Sequence, residues 1–277
     1  MFLLLAVASL ALTPRARLTH RHSTTEEPHV HVSPISPISQ ISETEKGKPR
    51  MKLTIFGPTG RVGQHVLAQA TAAGHHVTAV VRNPGKLGAD AHTAPNVRIV
   101  TADLSEPDPG ALESAVDGAD AVLSGLGPRK KAEHGIVSSG TRAIADAIQA
   151  VGARRLIVVS GVGVSTVPTP SRPHPPKREP GVGPVMQYLT TPLAKRVLGH
   201  HFVDVALMED FLHGCDADWT AMRVPLIVDK PQTGTYRTAY GHNLRAAFRI
   251  GQADAAQFML QLIDQRQAVG KIVTIAY

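Results

Sequence analysis

The stretch Phe56-Gly57-Pro58-Thr59-Gly60-Arg61-Val62-Gly63 decides how the rest of this chain is read. Upstream of it, Lys52 to Phe56 is a short apolar run of the kind used by a buried parallel strand. Downstream, residues 61 to 73 place Val62, Val66, Leu67 and Ala70 at helical spacing, and Gly74 supplies a stop signal. Glycines between a strand and a helix carry a meaning that they lack elsewhere. Gly57 permits a tight turn, Gly60 lets the backbone approach a diphosphate without a Cβ in the way, and Gly63 lets the helix pack close to the strand. The helix N-terminus then offers N–H groups and partial positive charge to phosphates. The whole peptide, with Thr59, Arg61 and Val62, is therefore expected to wrap a diphosphate. No Gly-Lys-Ser/Thr follows, which excludes a P-loop.

Outward from this turn, strands and helices alternate. Residues 76 to 81 (HVTAVV) and 97 to 100 (VRIV) read as strands, 109 to 116 as a helix, Ala121 to Leu123 as a strand, 134 to 151 as a helix and Arg155 to Val159 as a strand. Such alternation implies right-handed βαβ units and a parallel sheet. No fixed period repeats, so a solenoid is not expected. Residues 164 to 184 break the pattern with Pro168, Pro170, Pro173, Pro175, Pro176 and Pro180. A long irregular segment just after a strand's C-terminal end is where open α/β sheets place their substrates, so a substrate-side flap spanning 164 to 200 competes with a passive insertion. Helical patterning resumes from about 190 to 213. A strand follows at Asp218 to Arg223, then a helix at 253 to 265 and a strand at Lys271 to Ile275.

Apolar residues make up 43% of the 277-residue chain and aromatics 4%, so a large, mostly aliphatic core is expected. The formal net charge of +7 is spread in small groups such as Arg129-Lys130-Lys131, with no basic stripe or motif to indicate nucleic acid. The lone Cys215 excludes an intrachain disulfide and a cysteine metal cluster, and it reads as an inert thiol. Residues 2 to 12 are apolar but too short to span a bilayer, and no positive region precedes them as in a signal peptide. Residues 13 to 50 are polar and of low complexity, so 1 to 50 is expected to be a disordered leader, or Met51 the true start. His20, His22, His29 and His31 lie in that stretch without a scaffold, so no metal site is expected. These features imply a soluble, cytoplasmic protein without membrane or nucleic-acid partners, with secretion the lesser alternative.

The GxxGxxG spacing resembles the short-chain dehydrogenase/reductase superfamily, and GPTGRVG is similar to its atypical members. Val80-Val81-Arg82-Asn83, Thr101-Ala102-Asp103-Leu104, Ile157-Val158-Val159-Ser160 and Asp218-Trp219-Thr220 to Pro225 extend the likeness over residues 51 to 277. Within that superfamily the chain is similar to the NAD(P)H-binding family that includes biliverdin-IXβ/flavin reductases and NmrA-like proteins. The implied fold is a doubly wound, Rossmann-like parallel sheet in a single domain, 51 to 277, with a small C-terminal substrate-side portion. The resemblance implies that Asp103 and Leu104 line an adenine. It also implies that Ser124, Gly125 and Leu126 pass under the adenosine and the nicotinamide ribose.

The end of the second strand holds Arg82, with no acid until Asp90, where NAD-specific proteins place a carboxylate for the ribose hydroxyls. A guanidinium there suits the 2′-phosphate, so NADP(H) is expected over NAD(H). The superfamily's Tyr-x-x-x-Lys pair is absent: Tyr188 is followed four residues on by Pro192. Ser160 matches the family serine and is the candidate catalytic residue, with a structural role as the alternative. His200, His201 or Asp204 could donate a proton or simply face solvent. Leu226 stands where flavin reductases carry a histidine, and Trp219 reads as core. Hydride transfer to an overlying conjugated ring needs stacking more than a strong acid. The expected activity is thus an NADPH-dependent reductase of a flavin, quinone or similar small acceptor, as a monomer or homodimer. A non-catalytic NADP(H) sensor of the NmrA kind is the alternative, and a scaffold the weaker third.

Overall fold

The computed structural model describes residues 49–127, 135–179, 181–183, 188 and 191–277. The apolar run at residues 2 to 12, the four N-terminal histidines, Arg129-Lys130-Lys131 and Pro180 lie outside the described residues.

Six strands follow in chain order with helices between most of them: β1 (Lys52–Phe56), α1 (Gly63–Ala72), β2 (His76–Val81), α2 (Ala89–Thr93), β3 (Val97–Thr101), α3 (Pro109–Val116), β4 (Ala121–Ser124), α4 (Ile136–Val151), β5 (Arg155–Gly161), α5 (Thr191–His213) and β6 (Asp218–Val224). The remainder comprises β7 (Leu226–Val228), β8 (Arg237–Tyr240), β9 (Arg249–Gly251), α6 (Gln252–Gln261) and β10 (Lys271–Ala276). The main sheet has eight strands in the order β3-β2-β1-β4-β5-β6-β10-β8. All are parallel except β8, which runs antiparallel to β10 on the edge. A separate two-stranded sheet joins β7 to β9.

Strand side chains alternate between two layers, as period-2 geometry requires. Leu53, Ile55, Ala121, Leu123 and Ile157 face the layer built by α1 and α6. Phe56, Val122, Leu156 and Val158 face the layer built by α3, α4 and α5. Both faces of the sheet are covered, so its strands read as continuous apolar runs. Trp219 is 5% exposed and packs edge-on against His213, a core residue as expected.

Three short strands, β7, β8 and β9, and the helix α2 had no counterpart in the sequence reading. Helix α6 ends at Gln261; a 3-10 turn at Leu262–Asp264 completes the segment expected as helix to 265, and a second follows at Arg266–Ala268. No helix among the described residues is long and apolar enough to cross a membrane.

Among its described residues the proline-rich segment contains one 3-10 turn, Val164–Thr166, and is otherwise irregular. It is nonetheless tied down. Asp210 of α5 accepts the hydroxyls of Thr169 (2.7 Å) and Ser171, and Glu179 is buried. Residues 164–179 thus form a strap laid from the end of β5 across to β6.

Candidate cofactor site

The sheet order reverses direction between β1 and β4, and ligands of open α/β sheets lie outside the strand C-termini at such a switch point. The glycine-rich turn leaves β1 there. Gly57 adopts φ +68°, a left-handed conformation that disfavours any residue with a Cβ. Gly60 N–H donates to the Gly57 carbonyl at 2.9 Å and closes the turn. At Gly63 a Cβ would stand 2.1 Å from the Gly57 carbonyl oxygen, so only glycine lets α1 start so close to β1. Val62 heads α1 and no side chain caps it; the N–H groups of Gln64 and His65 already donate to the Gly60 and Val62 carbonyls at 3.1 and 3.0 Å, so a ligand would be met by the N–H groups ahead of them. Gly125, leaving β4, donates its N–H to the Phe56 carbonyl at 3.0 Å and lies against Gly57 and Gly63. The two loops therefore meet glycine to glycine, with no room for a side chain between them, the surface that a diphosphate lying over the turn would require.

The other expected residues line the same sheet edge. Arg82 leaves β2 exposed, next to Asp103 and Leu104, which leave β3; the strands are in register at Val81 and Thr101. The Asp103 carboxylate accepts the Ser105 N–H and hydroxyl at 2.9 and 2.7 Å. Leu104 is buried and Leu126 partly buried, and both approach Gly140 of α4. Ser124 is buried at the end of β4. From β3 to β5 there are four inter-strand steps, about 19 Å at about 4.8 Å each, along which an extended dinucleotide can lie. Thr59 stays in the turn, whereas the Arg61 guanidinium donates to the Ile227 carbonyl and so ties the turn to β7.

Ser160, at the end of β5, is only 3% exposed, and its hydroxyl donates to Glu209 at 2.5 Å. Glu209 is gripped by Arg223 through Nε (2.8 Å) and Nη2 (2.5 Å). Arg223 reaches on to Glu179 of the strap at 3.1 Å, and Glu179 also accepts from Ser165 (2.8 Å) and Asn243 (3.1 Å). Burial alone would lower the Arg223 pKa, but the hydrogen bonds and charge of Glu209, then Glu179, outweigh it and the pKa is raised. Arg223 therefore stays charged, and the Ser160 hydroxyl proton is directed at Glu209. The serine can accept a hydrogen bond but is a poor proton donor.

Glu209 and Arg223 escaped the sequence reading. One signal was present: Glu209 shares the buried face of α5 with Val205, Met208 and Leu212. Asp204 does not face a substrate. It accepts the N–H groups of Val137 (3.0 Å) and Ser138 (2.9 Å) and the Ser138 hydroxyl (2.6 Å), capping α4 from α5. The pKa of His201 is lowered by burial, against the pull of Asp204, which favours its neutral form. Leu226 is exposed on β7. Among the described residues no group of His, Cys, Asp and Glu could hold a metal. Cys215 is a free, partly buried thiol.

A cavity of about 740 Å³ lies at the opposite end of the strands, where Arg50, Arg155 and Arg266 face Asp120, Asp218 and Asp264. Burial pushes Arg155 down to about 10, and its guanidinium donates to the carbonyls of Leu262 (2.5 Å), Asp218 (2.7 Å) and Ile263 (3.3 Å). Those bonds make it a structural brace.

A mostly parallel, two-layered sheet with a glycine turn at its switch point defines a Rossmann-like protein. The chain belongs to the NAD(P)H-binding family, whose model matches residues 57–266. A curated relative, the uncharacterized protein YwnB of Bacillus subtilis, is 33% identical over 113 residues; that match spans 41% of this chain and about half (48%) of the relative. Among solved structures, a candidate exported protein of Burkholderia pseudomallei is 29% identical with a TM-score of 0.62, covering 82% of this chain and 100% of the other. A short-chain dehydrogenase/reductase of Veillonella parvula in complex with NADP has a TM-score of 0.67 at 16% identity, covering 83% and 95%. ChuY, an anaerobilin reductase of Escherichia coli O157:H7, has a TM-score of 0.61 at 20% identity, covering 81% and 96%. The last two share the fold.

Proposed function

We propose that this protein is an NADPH-dependent reductase that delivers a hydride to a flat conjugated acceptor such as a flavin or quinone. The observation that carries the reading is the continuous row of residues along one sheet edge. Asp103, Leu104 and Arg82 come first, then the Gly57–Gly63 cradle, Ser124 to Leu126, and Ser160 at the end where a nicotinamide would lie. Arg82 in place of an acid supports NADPH over NADH, because a guanidinium attracts the 2′-phosphate that a carboxylate would repel. NADPH supplies the hydride, and water supplies the proton that completes reduction of the acceptor.

The chain's own residues bind and orient. The cradle and the N-terminus of α1 hold the diphosphate. Ser160, its proton fixed on Glu209, presents a lone pair to an N–H donor such as the nicotinamide amide. No side-chain acid is needed when the acceptor ring delocalises the incoming charge. This agrees with the absence of a Tyr-x-x-x-Lys pair and of a histidine at Leu226. The reductase activity of ChuY, a protein of the same fold, is in keeping with such chemistry.

The test follows NADPH oxidation at 340 nm with riboflavin, FMN and a soluble naphthoquinone as acceptors. Turnover with at least one acceptor, faster with NADPH than with NADH, is expected. Tight NADPH binding with no turnover on any of them would reject catalysis in favour of a cofactor sensor.

A further inference from the structure

Between Ser160 and Val203 the chain carries Arg172, Lys177, Arg178, Lys195 and Arg196 but a single carboxylate, Glu179. That carboxylate is 4% exposed and bonded to Arg223; its charge still reaches Lys195, but it lies beneath the surface rather than on it. Lys177 and Arg178 immediately precede it and are exposed, as is Arg196 on the first turns of α5. Lys195 is half-buried, bonded to Thr166 at the root of the strap. Arg178 stands 5.3 Å over the ring of Tyr188, which is 61% exposed. Arg172 is spent on the strap itself, donating to the carbonyls of Val164 and Val167.

The buried Glu179 anchor holds this charge in one place. It fixes Lys177 and Arg178 within two residues of the Arg223 end of β6, at the same sheet edge as Ser160. No carboxylate among the described residues pairs with Lys177, Arg178, Lys195 or Arg196. A rim of one sign over a low-dielectric crevice raises the local concentration and the arrival rate of oppositely charged ligands.

Resting on the reductase reading above, we infer that the acceptor carries an anionic group, a phosphate or a carboxylate, which the Lys177, Arg178, Lys195 and Arg196 rim draws in and holds at the mouth of the site. The conjugated ring enters towards Ser160 and the charged tail stays outside, under the strap.

Two matched pairs test this and separate the two sources of charge. FMN and riboflavin differ by a phosphate; a carboxylate-bearing naphthoquinone and its methyl ester differ by a carboxylate. Flavin binding is read by fluorescence quenching on the full chain saturated with NADP+, which keeps FMN out of the diphosphate cradle. Acceptor kcat/KM is read for both pairs. The anionic member of at least one pair should be favoured by about tenfold or more. That preference should shrink as salt is raised and the screening length falls to a few ångströms. The double variant Lys177→Glu, Arg178→Glu should collapse the ratio between charged and neutral members, with its thermal midpoint confirming the fold. Whichever pair responds identifies the anion. Equal binding and equal kcat/KM within both pairs, or a ratio untouched by salt and by the double variant, would overturn the inference. Anion-selective binding without turnover would sustain it and overturn only the reductase reading.

Discussion

Gly63 carries the most local constraint in the molecule. Its would-be Cβ meets a backbone oxygen at 2.1 Å, and backbone cannot swing aside as a side-chain tip can. Gly63→Ala must therefore push α1 away from β1, an overpacking cost of about 1–3 kcal/mol. A lower thermal midpoint together with weaker NADPH binding is the expected outcome, read by thermal shift with and without cofactor. An unchanged midpoint and affinity would mean that the turn is not packed as described. At this scale the glycines were legible in the sequence because their spacing between a strand and a helix admits few other uses. Ser160 was legible only as a position. Its partner Glu209 lies 49 residues away, and nothing local announces that the hydroxyl is spent on a buried carboxylate. Asp204 misled for the same reason, since a cap supplied by one helix to another is a tertiary contact.

The strap is the element whose behaviour the buried charges set. Glu179 is its anchor, through Arg223, Asn243 and Ser165. Removing one member of a buried pair costs about 3–5 kcal/mol, because the remaining charge is left uncompensated. In Glu179→Ala this cost falls on the strap first, since Arg223 keeps Glu209. Trypsin cleavage after Lys177 should speed up by at least about tenfold under native conditions, read by mass spectrometry of the fragments. A cleavage rate equal to that of the unaltered protein would show that the anchor does not hold the strap. From sequence, the prolines announced irregular structure, but the anchoring residue looked like any other surface acid. The strands β1 to β6 and β10 were legible from their apolar runs, the four-residue β4 included. The strands β7, β8 and β9 have three or four residues each and lack the wholly buried apolar run that marks β4; β7 and β9 pair with each other, and β8 owes its place to pairing with β10.

For the whole molecule, alternation of strands and helices gave the parallel sheet, and the handedness of βαβ units did the rest up to β6. The return of the chain through β10 and the antiparallel edge β8 was not legible, because it depends on which surface β6 leaves unpaired. Strand order is also what turns scattered residues into a site. Residues from five different strand ends converge only because β3, β2, β1, β4 and β5 lie side by side. Calorimetric titration of the full chain and of Arg82→Glu with NADPH and NADH tests this convergence most directly. A cradle at Gly57–Gly63 read by Arg82 requires that the unaltered protein bind NADPH at least about tenfold more tightly than NADH. It also requires that the variant lose that advantage while its NADH affinity stays within about twofold. Failure of both cofactors to bind, or equal losses for both in the variant, would contradict it.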